Sequence, residues 1–202
     1  MKSTIGGIVL AAGRSTRMGT PKLFLPWRET TVFDSVLHLA LVAGLDPILV
    51  VTGAYRERIC ERLSGYAEKV TEVYNPEFEN FEMLYSLKLG IHKIINRCDA
   101  VMILLGDQPQ VQQKIVEQII QRFNEKRSEI IIPSFRMRRG HPILIRQDLF
   151  PSILTYSDNG NLREFLASFN DKIDYVPVDS NSILEDIDSP EDYERIKKKQ
   201  NE

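Results

Sequence analysis

Apolar positions along the chain recur at two spacings, and the two alternate. A short apolar run at 5–11 ends just before Gly13 and reads as a buried strand. Over 31–43, Phe33, Val36, Leu37 and Ala40 fall on one helical stripe, and Gly44 stops it. The alternation continues with a strand at 47–51, a helix at 55–63 ended near Gly65, a strand at 70–74 and a helix at 81–95. The most apolar run, 100–105, is broken by Gly106, and the helix predicted at 111–123 carries the stripe Ile115, Ile119 and Phe123. A strand at 129–132 is expected to stop at Pro133.

This rhythm predicts an α/β fold: a single-domain, Rossmann-like three-layer sandwich with a mainly parallel sheet. The second half is less regular. Segments 135–137 and 143–145 flank the turn Arg138-Arg139-Gly140-His141 and are expected to pair as a β-hairpin insertion. Two short helices, a strand near 173–176 and a charged helix from Pro190 complete the expectation, with Lys197-Lys198-Lys199 as a solvated helix end.

In an open parallel sheet, ligands bind outside the carboxyl ends of the strands. Two loops therefore carry the candidate chemistry. The first, from Leu10 to Lys22, combines small residues with Arg14, Arg17 and Lys22. Its backbone N–H groups could form an anion-binding nest, and its cations could add charge-assisted bonds to a triphosphate. The alternative is a Gly-rich surface loop with solvated cations. Neither the Walker A spacing nor the dinucleotide pattern GxGxxG fits it. The second loop, Gly106-Asp107-Gln108-Pro109, brings a carboxylate to the same edge. Asp107 suits Mg²⁺, which takes one or two carboxylates plus substrate phosphates, or it caps the next helix.

Composition narrows the class. At 202 residues the chain can bury a core without staples, and one domain, 1–202, is expected. A hydrophobic fraction of 43% and a charged fraction of 27% are those of a globular protein, and a net charge of −2 is no footprint for nucleic acid. Cys60 and Cys98 form no metal-type pair and read as reduced thiols. The start, Met1-Lys2-Ser3-Thr4, shows no signal-peptide pattern, and no run reaches transmembrane length, so a cytoplasmic protein without membrane contact is expected. His38 and His92 read as ordinary helix histidines and Trp27 as packing; His141, Arg136, Arg138 and Arg139 could meet a substrate or belong to a solvated hairpin.

The run Leu10-Ala-Ala-Gly-Arg-Ser-Thr-Arg-Met-Gly-Thr-Pro-Lys-Leu-Phe-Leu-Pro-Trp27 resembles the signature of the molybdenum cofactor nucleotidyltransferases, and within them the cytidylyltransferases. Asn75-Pro76, Met83-Leu-Tyr-Ser86, Gly106-Asp-Gln-Pro109, Arg139-Gly-His-Pro142, Asp158-Asn-Gly160 with Arg163, and Asp186-Ile-Asp-Ser-Pro190 follow in the same order. The resemblance implies a fold of the nucleotide-diphospho-sugar transferase type, NTP binding in the N-terminal half and acceptor binding in the C-terminal half. It implies that Gly13, Arg14, Ser15, Arg17, Gly19 and Lys22 hold the triphosphate, with Arg17, Lys22 and Asp107 catalytic. Leu10, Ala11, Ala12, Asn75 and Ser86 would line the base and ribose pocket. Asp107 would bind Mg²⁺, with Asp188 as a second carboxylate, and Gly140, His141, Arg163 and Asp186 would face the acceptor.

CTP is favoured over GTP, because GTP-using relatives more often read Leu-Ala-Gly-Gly where this chain has Ala12. The implied acceptor is a molybdopterin-type phosphate, with transient contact to a molybdoenzyme left open. Glu82 departs from the pattern, since relatives place Gly before that Met. Two rivals stay open: a nucleotidyltransferase for a sugar phosphate or another small phosphorylated alcohol, and a non-catalytic nucleotide- or cofactor-binding chaperone.

Overall fold

The computed structural model describes residues 3–200, Gln200 without its side chain, so Met1 and Lys2 of the leader reading lie outside the described residues. In chain order the elements are β1 (Ile5–Ala11), β2 (Pro26–Trp27), β3 (Thr30–Thr31), α1 (Val32–Val42), β4 (Ile48–Thr52), α2 (Arg56–Leu63), β5 (Val70–Tyr74), α3 (Met83–Ile94), β6 (Ala100–Leu105) and α4 (Gln113–Lys126). Then come β7 (Ile130–Phe135), β8 (Arg138–Arg139), β9 (Ile143–Arg146), α5 (Phe150–Thr155), α6 (Leu162–Ser168), β10 (Ile173–Pro177) and α7 (Pro190–Gln200).

The main sheet runs β10-β7-β9-β6-β1-β4-β5, with β8 attached to β7. β1 lies parallel to both β4 and β6, and β9 is the antiparallel strand between β6 and β7. The apolar stripes explain the layers. Phe33, Val36, Leu37 and Ala40 of α1 join Ile115, Ile119 and Phe123 of α4 in a core on one face. Leu84, Leu87 and Ile91 of α3 join Phe150 and Phe165 in a core on the other. Both faces of β1 and β6 are therefore covered, which is why those strands read as unbroken apolar runs. Thr31 caps α1 by accepting a bond from the Asp34 N–H.

Two expectations are corrected. β7 does not stop at Pro133 but continues to Phe135. β9 pairs only as far as Ile131, and beyond it the Pro133 carbonyl accepts from the Gly140 N–H at 3.0 Å, so the ladder continues past the proline with only the return bond to Gly140 missing. The hairpin is also displaced. Its turn is Arg136-Met137, at φ 48° and 66°, and Ser134 and Phe135 pair with Arg139 and Arg138. Segment 143–146 pairs instead with β6 and β7.

His38 and His92 are exposed on helices, as ordinary histidines would be. Cys60 and Cys98 are free, and burial pushes the Cys98 thiol up to about 11. Among the described residues no helix is long and apolar enough to cross a membrane.

Candidate active site

The N-terminal loop leaves β1 at the ligand edge of the sheet. Ser15 takes a left-handed backbone, φ 54°, and leads into a single 3-10 turn, Thr16–Met18, closed by Gly19 at φ 65°. Left-handed followed by helical backbone turns consecutive N–H groups to one side, which is the geometry of an anion nest. The loop is pinned twice: the Lys22 N–H donates to Ser15 Oγ at 3.3 Å, and the Tyr55 hydroxyl donates to the Arg14 carbonyl at 2.6 Å.

Lys22 is the hub. Its Nζ lies 2.5 Å from Asp107 Oδ2 and 3.3 Å from Asp188 Oδ1, while an Arg17 nitrogen lies 3.0 Å from Asp188 Oδ2. Burial pulls the Lys22 ammonium down, but Asp107 and then Asp188 outweigh it and hold its pKa above the usual lysine value. Asp186 is raised above the ordinary carboxylate value, first by desolvation. The Gln108 amide, donating to its Oδ1 at 2.7 Å, works against that rise, whereas the negative charges of Asp107 and Asp188 add to it.

Asp188 arrives from far along the sequence because a small apolar cluster carries it there. Met18, Trp27 and Val32 pack against Ile187, Tyr193 and Ile196. The Tyr193 hydroxyl also donates to the Pro26 carbonyl. Ile187 is fully buried between the two carboxylates that face the cleft. Ile187→Ala is expected to lower unfolding free energy by about 2–3 kcal/mol and to reduce turnover through Asp188. Denaturant melts beside steady-state rates check this; unchanged stability would show that the cluster does not hold the segment.

The cleft above these groups is about 520 Å³. It gathers Leu10, Ala12, Gly13, Ser86, Asp107, Gly140, His141, Asp186 and Asp188. Other expected residues stand behind it or beside it. Ala11 is buried beneath the loop, and Asn75 lies behind Ser86, donating to its Oγ at 2.9 Å. Arg14 pairs with Glu79 at 2.9 Å rather than with Asp107 or Asp188. Arg163 lines an adjoining groove that shares Gly140 and His141 with the cleft. Burial lowers the His141 imidazole to about 4 against the opposing pull of Asp107, so it is neutral at pH 7.

Phe78, Phe81 and Gln108 also line the cleft and were not singled out by sequence reasoning. Gln108 follows Asp107 at a strand tip, which is signal enough; Phe78 lies in a turn, and Phe81 falls just before α3, which starts at Met83 rather than at the predicted 81.

The donor chemistry fits a divalent cation. Two carboxylates from distant segments converge on one ammonium nitrogen, beside a loop shaped for phosphate. Mg²⁺ takes that few protein ligands and completes its shell with phosphate oxygens and water. Among the described residues no set of three or more metal-ligating side chains is gathered, so a closed cage is not the arrangement here.

Residues 7–173 match the family model of the MobA-like NTP transferase domain. The chain is 28% identical over 200 residues to the molybdenum cofactor cytidylyltransferase of Escherichia coli K12, covering 99% of each. It is 27% identical over 200 residues to the nicotine blue oxidoreductase of Paenarthrobacter nicotinovorans, covering 95% of this chain and 96% of that one. Among solved structures, the manganese complex of Rv0371c from Mycobacterium tuberculosis H37Rv superposes with a TM-score of 0.78 at 27% identity, over 97% of this chain and 99% of that one.

Proposed function

Because the chain belongs to the MobA-like NTP transferase domain family, we propose that it transfers CMP, in preference to GMP, from an NTP to the phosphate of a molybdopterin-type cofactor, releasing pyrophosphate. The observation that carries this reading is the convergence of Lys22, Arg17, Asp107 and Asp188 at one edge of the sheet.

The chemistry follows from charge. A phosphate monoester has its second pKa near ~6, so the acceptor is already mostly a dianion at pH 7 and needs no general base. The protein must hold that dianion in line with the α-phosphorus and steady the departing pyrophosphate. The nest from Gly13 to Gly19, with Arg14, Arg17 and Lys22, would take the triphosphate. On nucleotide binding the Lys22 ammonium would exchange a carboxylate partner for phosphate oxygen. Asp107 and Asp188 would then be the residues that hold Mg²⁺, which when bound supplies Lewis-acid polarisation of the phosphate.

Leu10, Ala11, Ala12, Asn75 and Ser86 would position ribose and base. Gly140, His141, Arg163 and Asp186 would face the acceptor, and a neutral His141 carries one donor and one acceptor nitrogen. A cytoplasmic setting with transfer of the product to a molybdoenzyme completes the reading.

The test is magnesium-dependent pyrophosphate release with CTP and GTP, against molybdopterin and sugar-phosphate acceptors. Turnover with CTP and molybdopterin is expected. Turnover with the sugar phosphate alone would move the acceptor class, and nucleotide binding without turnover would favour the chaperone reading.

A further inference from the structure

The catalytic cleft does not end at the acceptor phosphate. It opens into a second groove of about 800 Å³ between α3, the β7–β8 hairpin and α6. The two cavities share Glu82, Met83 and the stretch from Arg138 to His141. The groove has an apolar floor: Ile132, Ile143, Leu162 and Leu166 are buried, and Met83 adds an exposed thioether. Such a floor suits the face of a flat ring whose polar groups lie at its edge.

Among the described residues lining that groove, Glu82 is the only carboxylate. It stands at the N-cap position of α3, yet its side chain makes no capping bond. It forms no ion pair with Arg138, Arg139 or Arg163, although all three line the same groove. Arg139 instead donates to Asn170 Oδ1 at 2.5 Å and stacks over Tyr175. The Glu82 carboxylate is thus an exposed double acceptor at the junction of the transfer cleft and the apolar groove, with no protein partner among the described residues.

Resting on the acceptor assigned above, we infer that Glu82 is a specificity-determining residue that receives the donor edge of the acceptor's ring. A pterin presents a ring N–H and an exocyclic amino group side by side. A carboxylate accepts from both at once, in the bidentate geometry that gives charge-assisted bonds their directionality. The same contact discriminates against a ring that carries a carbonyl in place of the amino group, because that oxygen would face the carboxylate without a hydrogen between them.

The probe pair is 6-hydroxymethylpterin and 6-hydroxymethyl-lumazine, which differ in the group at position 2. Fluorescence titration with both is run on the wild-type protein and on Glu82→Gln, with CTP and GTP binding measured by calorimetry. The wild type is expected to prefer the pterin by about tenfold or more, and Glu82→Gln to bring the two rings within about threefold, with CTP affinity unchanged. A merely structural role for Glu82 would not move that ratio.

The inference is overturned if the wild type binds neither ring or binds both equally, or if Glu82→Gln keeps the preference. It is equally overturned if the substitution shifts CTP against GTP and leaves pterin binding alone, which would make Glu82 a reader of the nucleobase. Ring discrimination without any nucleotidyl transfer to molybdopterin would instead sink the transfer reading and leave the ring subsite standing.

Discussion

Asp107→Asn is expected to lower the rate of nucleotidyl transfer by about 10³-fold or more while the protein stays folded. The amide has the shape of the carboxylate, so the packing around β6 and Gly106 is preserved. What changes is charge. The amide is a poor ligand for Mg²⁺, and Lys22 loses its 2.5 Å partner and is left to Asp188. The pair is largely buried, so removing one charge costs stability, but Asp188 stays 3.3 Å from the ammonium and holds the loss to about 2 kcal/mol. Rapid-quench measurement of the transfer step, with a thermal melt on the same preparation, separates rate from fold. Full activity in a folded variant would remove Asp107 from the chemistry.

Gly140→Ala is expected to destabilise the protein by about 4 kcal/mol and to deform the proposed acceptor side of the cleft. The reason is space. A Cβ on Gly140 would stand well inside contact distance of the Ile183 carbonyl oxygen and 2.7 Å from the Ile183 side chain. The oxygen is backbone and cannot rotate away. It also accepts from the His141 N–H at 3.1 Å, and Gly140 itself donates to Pro133 at 3.0 Å. Relief of the overlap therefore pulls apart the hairpin and the segment that leads into Asp186. Equilibrium unfolding in urea reads the loss; a midpoint within error of the wild type would mean that the Ile183 segment is loosely held.

Strands at 5–11 and 100–105 are legible because continuous apolar runs bounded by glycine or polar residues have few other readings. The helix stripes on α1 and α4 were legible because the core selects one face. The hairpin was misplaced because its turn uses Arg136 and Met137 at positive φ, where no glycine or asparagine marks the position.

The two loops of the site were legible from the rule about strand ends. The third contributor was not, in physical terms. Asp188 meets Lys22 across 166 residues of chain, through an apolar cluster of a few side chains with no local signature. The sequence pattern named Asp188 only through family resemblance, and packing is what explains its arrival.

A polyanion and a divalent cation are proposed to meet between the N-terminal nest and the two converging carboxylates. Crystals grown with CTP and Mn²⁺, with anomalous scattering used to locate the ion, test it most directly. The ion is expected where Asp107 and Asp188 would hold it, with Lys22 turned from its carboxylate onto the triphosphate. An ion or a triphosphate ordered elsewhere on the protein, with Lys22 still bound to Asp107, would contradict it.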